Sequence, residues 1–295
     1  GSIIVTEPSG GEKLPVGSNF KVEWARAGDF ANVRIEYSTD GGSNYNNQIV
    51  ESTPASNLYY WWNNISNTSV SPNVVLKITD TNDIQTFAVS PSFKIQGILD
   101  ITSPDGGLVW VVGSVHDITW NTTGNITDVK LEYSVDSGST WVVPPIAASM
   151  GNTGTKSWTI PDNISDRVRV RVTDINDTEV SNMSATDFKI RGDLQLTSPN
   201  NGTESWLVGS SQPITWEVTG SISTVKLEFS IDGAAYEQIP GADNLAASLK
   251  TFNWPIPDRI SSNVRVKITN NADTTVYDTS DNAITITGQL NLTRP

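Results

Sequence analysis

The sequence predicts an all-β chain of three tandem sandwich domains joined with almost no linker. Three observations carry this prediction. One pattern recurs about every 96 residues, each copy alternates polar and apolar residues with a period of two, and turns rich in Gly, Asn and Pro separate the alternating runs. Long windows rich in Ala, Leu, Glu and Lys are absent, so we expect no helix of any length.

The repeat is marked by residue types at fixed positions. Three sets recur at intervals of 96, namely Trp24, Trp120 and Trp216; Gly17, Gly113 and Gly209; and Trp62, Trp158 and Trp254. This period fits an autonomous domain and is too long for a solenoid unit. We predict domains at residues 1–97, 98–192 and 193–288, with 289–295 as the start of a further repeat. Because no flexible spacer separates them, the domains should stack as a semi-rigid rod.

Copy two illustrates the strand pattern. Polar and apolar residues alternate over residues 115–120, 129–133 and 168–172, and Asp136-Ser-Gly138 predicts a hairpin turn between two strands. Roughly seven short strands per copy, with turns about every 8–12 residues, predict an immunoglobulin-like sandwich. The two recurring Trp positions are expected to lie in facing sheets and to fill the core between them.

The order of these landmarks resembles a fibronectin type III-like domain, in which a Trp (here Trp120), an aromatic (Tyr133) and a Pro turn (Pro161) follow in this order. The opening phrase of copy two, residues 102–114, is similar to repeats of prokaryotic surface-layer and other secreted proteins. It also resembles the N-terminal domain of Ser/Thr-rich fungal cell-wall proteins. The resemblance covers all three copies and implies a spacer, lattice subunit, stalk or enzyme appendage outside the cell.

Composition narrows the classes of partner. The formal net charge of −13 repels phosphate backbones, so no nucleic-acid partner is expected. There is no Cys, which excludes disulfides and thiolate metal sites. No apolar run reaches the ~18 residues that a membrane span needs, so this fragment is expected to contain none.

Catalytic groups are sparse, and we expect no enzyme activity. The only His is His116, which is expected on the polar side of a strand, at the surface. Without a second His or any Cys, the usual nucleophile–base pairs and zinc sites cannot be built. The recurring Glu36, Glu132 and Glu228 are expected on the solvated face of a strand, which suits a structural role better than a catalytic one.

An acidic loop precedes the final strand of each copy and is a candidate calcium site. Oxygen ligands at short spacing suit Ca²⁺, the only cofactor that the sequence raises. The competing interpretation is that Asp and Asn simply close turns by binding their own backbone. The carboxylates concerned are Asp80, Asp83, Asp174, Asp177 and Asp273. Such a loop should lie near a domain junction.

Only copy one has an aromatic pair that the alternation along its strand predicts to be exposed. If Trp62 points inward, Tyr59 and Trp61 on the same strand should point outward. They are candidates for contact with a glycan or a protein, and the alternative is an incidental aromatic pair covered by a loop.

Nine Asn-x-Ser/Thr sequons occur, most of them in predicted turns, and each is a candidate glycosylation site. They are at Asn64, Asn67, Asn121, Asn125, Asn163, Asn176, Asn182, Asn201 and Asn291.

Two functions are compatible with these observations. The first is a non-catalytic structural module of an extracellular surface protein, either a surface layer or a stalk, which acts as a rod or spacer and self-associates. Its partners would be neighbouring repeats of a longer chain and other copies of the protein. The alternative is an adhesin or a carbohydrate-binding accessory module of a secreted protein, with glycans as partners.

Overall fold

The computed structural model describes residues 1–290 and contains three β-sandwiches in succession. Each sandwich has its own buried core, and no residue is shared between the three cores. The only helical segments within residues 1–290 are three short 3₁₀ helices, Ala55–Asn57, Asn67–Ser69 and Ala247–Leu249. The predicted all-β class with three tandem sandwiches is therefore confirmed. The phrase at 291–295, including Asn291, lies outside the described residues.

The strands are short and follow one another in the same order in each sandwich. The first sandwich contains β1 (Ser2–Glu7), β2 (Lys13–Pro15), β3 (Phe20–Ala27), β4 (Asn32–Ser38), β5 (Asn47–Pro54), β6 (Tyr59–Trp62), β7 (Ser71–Asp80), β8 (Phe87–Val89) and β9 (Phe93–Gln96). The second contains β10 (Ile98–Ser103), β11 (Val109–Val111), β12 (Val115–Thr123), β13 (Asp128–Ser134), β14 (Ala147–Gly151), β15 (Thr155–Thr159), β16 (Ser165–Asp174), β17 (Ser181–Met183) and β18 (Phe188–Arg191). The third contains β19 (Asp193–Ser198), β20 (Ser205–Leu207), β21 (Ser211–Thr219), β22 (Thr224–Ile231), β23 (Glu237–Gln238), β24 (Leu245–Ala246), β25 (Thr251–Pro255), β26 (Ser261–Asn270), β27 (Tyr277–Thr279) and β28 (Ile284–Thr287).

Each sandwich pairs a smaller sheet with a larger one. In the first, the smaller sheet is β1-β3-β6, and the larger sheet is β2-β9-β7-β4-β5 with β8 also paired to β7. Neighbouring strands run antiparallel, except that β2 runs parallel to β9. The second and third sandwiches repeat this arrangement, including the parallel pairs β11–β18 and β20–β28. Two facing sheets of this kind, with a chain that crosses between them, form an immunoglobulin-like sandwich.

The recurring glycine has a backbone reason. Gly17 has a φ of +77°, and the equivalent Gly113 and Gly209 have φ of +82° and +77°. This left-handed region disfavours residues that carry a Cβ. The amide of Gly17 donates to the carbonyl of Ile65 at 2.8 Å, and Gly113 donates to Ile160 at 2.8 Å. The turn therefore ties the end of β2 to the segment after β6.

An Asp closes the turn after β4, at the position where Asp136-Ser-Gly138 predicts a hairpin turn in the second copy. Asp40 accepts hydrogen bonds from the Ser38 hydroxyl at 2.5 Å and from the Asn44 amide at 2.9 Å. These bonds lower the pKa of Asp40 to about 2. Asp136 is held in the same way by Ser134 and Thr140, and its pKa is also lowered to about 2. The predicted turn at this position is thus present in the first two sandwiches.

The core tryptophans occupy one sheet rather than two. Trp24 lies on β3 and Trp62 on β6, which are neighbours in the smaller sheet, so the prediction of facing sheets is wrong. The larger sheet contributes Tyr37, whose ring centroid lies 4.6 Å from that of Trp62. Alternation along a strand shows that a side chain points inward, but it does not show which layer carries it. Both Trp side chains are buried, as expected.

One buried hydroxyl recurs without a partner. Thr79, Thr173 and Thr269 occupy equivalent positions on the long central strand, and none of the three hydroxyls has a hydrogen-bond partner among the described residues. A buried unpaired hydroxyl is destabilising, and a β-branched apolar side chain suits a central strand better.

We therefore expect Thr269→Val to raise the free energy of unfolding of the third sandwich by about 1 kcal/mol. Urea unfolding followed through NMR resonances of that sandwich measures the change. Thr215→Val is the matched control, because the Thr215 hydroxyl is hydrogen-bonded to Thr197 at 2.7 Å, and it should give no gain. A loss of stability in Thr269→Val would contradict the assignment of an unpaired hydroxyl.

Candidate functional site: domain junctions and an aromatic face

A single glycine joins each pair of sandwiches. Gly97 lies between β9 and β10, and Gly192 lies between β18 and β19. A Cβ at Gly97 would lie 2.7 Å from Ile126 Cδ1, and one at Gly192 would lie 2.6 Å from the Thr219 carbonyl oxygen. No other residue fits at either position without displacing its neighbours. The sandwiches consequently abut with no spacer.

A glycine turn of the following sandwich packs on the end of the preceding one. A Cβ at Gly124 would lie 2.9 Å from Val70 Cγ2, and the Asn125 amide donates to the Asn67 carbonyl at 3.1 Å. We call the end of a sandwich that carries this turn its head end. The opposite end, where the last strand finishes, is its tail end.

The second junction repeats this apolar contact and adds a carboxylate. A Cβ at Gly220 would lie 3.0 Å from Val112 Cγ2. The amide of Ser221 donates to Asp162 Oδ1 at 2.9 Å, and the Ser221 hydroxyl donates to Asp162 Oδ2 at 2.5 Å. The two junctions therefore share one geometry and differ in their polar groups.

Two lysines of the first sandwich bind acidic groups of the second. The ammonium groups of Lys13 and Lys94 lie 2.6 and 2.7 Å from the Glu179 carboxylate. Lys94 also lies 3.5 Å from Asp177, and the Gln96 side-chain amide donates to Asp177 at 2.8 Å. All of these groups belong to the tail end of one sandwich or the head end of the next.

These contacts shift the pKa values of Glu179 and Lys94. Hydrogen bonds from Lys13 and Lys94 lower the pKa of Glu179 to about 2. The hydrogen bond to Glu179, with the nearby charge of Asp177, raises the pKa of Lys94. The Glu179 carboxylate and the Lys94 ammonium therefore remain charged throughout the physiological pH range.

The second junction carries a single equivalent ion pair. Lys189 lies 2.5 Å from Asp273 and 3.4 Å from the Thr275 hydroxyl. The guanidinium of Arg191 donates to the Thr275 carbonyl at 3.3 Å. Lys189 and Asp273 occupy the positions that Lys94 and Asp177 occupy in the first junction.

The candidate calcium loops lie at these head ends. Asp80 and Asp174 accept the amide hydrogens of Asn82 and Asn176 at 3.0 and 2.8 Å, as turn-closing residues do. Asp83 accepts the amide of Gln85 at 3.1 Å. Within residues 1–290, no group of three or more His, Cys, Asp or Glu side chains gathers into a cluster that could hold a metal.

The other two candidate carboxylates already have cationic partners, because Asp177 contacts Lys94 and Asp273 contacts Lys189. The sequence did not reveal these lysines, since 83 residues separate Lys94 from Asp177. The only available signal was the recurrence of Phe-Lys-Ile at the end of the first two copies. Calcium binding at the loops stays a prediction.

The first sandwich has exposed aromatic side chains on the outer side of its smaller sheet. Tyr59 is 45 % and Trp61 49 % exposed, and both point outward as their register requires. The ammonium of Lys21 lies 4.7 Å from the centre of the Tyr59 ring and pairs with Glu23. Ile4, which is 63 % exposed, extends the face onto β1.

The same six positions are largely polar in the other two sandwiches. We define the aromatic face as Ile4, Lys21, Glu23, Ala25, Tyr59 and Trp61. Its counterparts in the second sandwich are Asp100, Asp117, Thr119, Asn121, Thr155 and Ser157. In the third they are Gln195, Pro213, Thr215, Glu217, Thr251 and Asn253. The fold does not require aromatic residues at these positions.

The candidate sequons differ in their exposure. Six of the Asn residues are exposed, namely Asn64, Asn67, Asn121, Asn125, Asn176 and Asn201. Asn163 accepts a hydrogen bond from the Tyr133 hydroxyl at 3.0 Å, and Asn182 accepts one from the Ile101 amide at 2.9 Å. These two side chains are engaged in the fold, and glycosylation of any site stays a prediction.

Two residues considered for chemistry are less exposed than expected. His116 is half-buried on the inner side of β12, where its ring stacks on Trp110 at a centroid distance of 4.5 Å. It shares that side with Ile118, so its predicted place on the polar side is wrong. Glu132 lies on the outer side of the larger sheet but is buried beneath Lys130 and Arg171, which both pair with it.

A cation stacked on an aromatic ring recurs on the outer side of each larger sheet, and the sequence analysis missed it. Lys77 lies 4.7 Å from the centre of the Phe87 ring, and Lys267 lies 4.4 Å from that of Tyr277. In the second sandwich, Arg171 lies 4.0 Å from the centre of the Trp141 ring. Such contacts contribute about 0.5–1 kcal/mol at exposed sites.

The solved structures that align with this chain contain several domains in tandem. No protein-family model matches this chain, and no curated protein matches it. A three-domain immunoglobulin fragment of titin with Glu-to-Ala changes aligns over 97 % of this chain and 98 % of its own, at 11 % identity and a TM-score of 0.34. Three N-terminal domains of the highly immunogenic outer capsid protein of bacteriophage RB49 align over 97 % and 99 %, at 10 % identity and a TM-score of 0.28.

Fibronectin(III)-like modules of Clostridium thermocellum CbhA align over 64 % of this chain and 94 % of their own, at 12 % identity and a TM-score of 0.22. The assignment of the fold rests on the strand order described above. Among the described residues, no helix is long and apolar enough to cross a membrane.

The strength of docking at the first junction should depend on pH. The pKa of Glu179 is lowered from 4.5 to about 2 when the sandwiches are docked. The ionised carboxylate therefore strengthens docking at pH values above 4.5, and this contribution disappears as the pH falls toward 2. Lys13→Ala/Lys94→Ala should return the pKa of Glu179 toward 4.5, as measured by ¹³C NMR titration of its carboxyl carbon.

The matched control is Lys250→Ala, which removes a lysine that is paired with Glu217 within the third sandwich. It should leave the titration of Glu179 unchanged. If Glu179 titrated near 4.5 in the unmodified chain, the contacts across the junction would be wrong.

Proposed function

We propose that this chain is a non-catalytic structural module of an extracellular surface protein, in which it acts as a spacer and a unit of self-association. Tandem immunoglobulin-like sandwiches are an architecture typical of structural or adhesive modules. The observation that carries the spacer role is the pair of junctions, each with one glycine as linker and direct contacts across it. A spacer needs this arrangement, because free rotation between domains would not hold a fixed distance.

The ionic contacts support the same role. At the first junction, Glu179 is bound by two lysines of the preceding sandwich, and Asp177 is bound by Lys94 and Gln96. Exposed ion pairs contribute only about 0–1 kcal/mol each, but a network on one side of a joint opposes bending toward the other side. Apolar packing of Gly124 against Val70 completes the joint.

The surface setting is part of the proposal and rests on three observations. The opening phrase of each copy is similar to repeats of surface-layer and secreted proteins. The net charge of −13 favours solubility, and six of the sequon Asn side chains are exposed. We propose a surface layer or stalk as the assembly, with neighbouring repeats and other copies of the protein as partners.

A rod gives a clear scattering signature. Each sandwich should be about 35–40 Å long, because a seven-residue strand spans ~23 Å and loops extend both ends, so three should give a maximum dimension on the order of 100 Å. Small-angle X-ray scattering measures this dimension. Lys13→Ala/Lys94→Ala should shorten the average extension by allowing the first junction to bend, and Lys250→Ala should not. A compact globular profile for the unmodified chain would contradict the spacer role.

The aromatic face supports a second candidate function, adhesion to a glycan as part of an adhesin or a carbohydrate-binding accessory module. Tyr59 and Trp61 present two exposed rings on the outer side of one sheet, and the Lys21–Glu23 pair beside them offers hydrogen-bond donors and acceptors. Sugar rings combine apolar faces with hydroxyl groups and fit such a surface. The corresponding positions of the other two sandwiches are polar, so only the first sandwich would bind.

A glycan array tests this function directly. We expect binding by the chain and its loss in Tyr59→Ala/Trp61→Ala, because the stacking surface is removed without touching the core. Thr251→Ala/Asn253→Ala changes the equivalent positions of the third sandwich and should bind as the unmodified chain does. Binding that survives the aromatic substitutions, or no binding to any glycan, would exclude the aromatic face as a glycan site.

A further inference from the structure

The two junctions share one pattern of opposite charges, which we call the charge rule. In each, a lysine in the last strand of a sandwich contacts an aspartate in the head-end loop of the next. The pairs are Lys94 with Asp177 and Lys189 with Asp273, and the members of each pair occupy equivalent positions. Because the rule holds at both junctions, it describes how a head end of this type recognises a tail end.

The head end of the first sandwich has the same acidic position with no cationic partner. Asp83 is the counterpart of Asp177 and Asp273, it is exposed, and within residues 1–290 no cationic side chain lies within salt-bridge distance of it. Its neighbour Ile84 is 64 % exposed. The glycine turn of this head end, Gly28–Phe30, corresponds to the turn that packs on the preceding sandwich at both junctions.

The tail end of the third sandwich cannot complete this contact. Thr285 stands where Lys94 and Lys189 stand, and Thr287 replaces Gln96 and Arg191. That tail end also presents the exposed carboxylate of Asp258, the counterpart of Asp162. Docked as at the second junction, Asp258 would face Asp29 of the head-end turn, so two carboxylates would meet and no lysine would reach Asp83. A second copy of the chain is therefore a poor occupant.

We propose that the head end of the first sandwich is a docking surface for the tail end of an immunoglobulin-like domain whose last strand carries a lysine. The lysine pairs with Asp83, and the tail end receives the turn Gly28–Phe30. The tail end of the first sandwich has this chemistry, because it carries Lys94 and has the neutral Asn67 where the other two carry Asp162 and Asp258. It is already engaged within the chain. The occupant is thus a further domain whose tail end is of the same type as that of the first sandwich, and the charge rule selects it over the third.

A four-domain chain tests the proposal. A second copy of residues 2–97, which form a sandwich with its own core, is placed ahead of Ser2 so that its Gly97 replaces the equivalent Gly1. The sequence has no Cys, so two introduced cysteines can carry nitroxide labels. Asn63→Cys in the added sandwich and Asn57→Cys in the original first sandwich span the new junction. Asn63→Cys and Thr153→Cys at equivalent positions span the existing first junction of the original chain as a reference.

Double electron–electron resonance should give one narrow distance distribution for the new junction, similar to that of the reference. Asp83→Asn in the original first sandwich should broaden it, and so should Lys94→Thr in the added sandwich, because each removes one member of the ion pair. Glu23→Gln removes a carboxylate from the original first sandwich away from its head end and should leave the distribution narrow. A broad distribution in the unmodified four-domain chain, or a narrow one that neither substitution changes, would overturn the proposal.

Discussion

The one-residue linker is the constraint on which the rest of this molecule depends. Gly97 and Gly192 each follow the last strand of one sandwich and precede the first strand of the next, with no space for a side chain. The tail end of each sandwich must therefore meet the head end of its successor, and both surfaces must be complementary. Apolar contacts such as Val70 against Gly124 and ion pairs such as Lys94 with Asp177 follow from that requirement.

The two core tryptophans recur in all three sandwiches, whereas the outer side of the smaller sheet differs between them. Trp24 and Trp62 recur in every copy because the core between the sheets has one shape. Trp61 has no aromatic counterpart, because its position faces solvent and packing sets no limit there. Differences in function between the copies are consequently expected on the outer sides of the sheets and at the domain ends.

Sequence reasoning succeeded where the information is local or periodic. The repeat predicted three tandem sandwiches, the period of two placed Tyr59 and Trp61 on the outer side of their strand, and turn chemistry explains Asp40. It failed where a residue's position depends on which sheet its strand joins, or where its contact is with a residue distant in sequence. Alternation could not assign Trp24 and Trp62 to one sheet, and no local pattern links Lys94 to a carboxylate in another domain. His116 was misplaced because a polar residue at a sheet's end can face inward when an aromatic ring, here Trp110, covers it.

The parallel pairing of β2 with β9 has a mechanical consequence. These strands lie near the two ends of the same domain sequence, and they are joined by backbone hydrogen bonds that include Val16 to Gln96 and Lys94 to Glu12. When a domain is pulled by its two termini, the strands are drawn past each other along their length. The hydrogen bonds then share the load and must break together, whereas an antiparallel pair pulled open from one end would lose them one at a time.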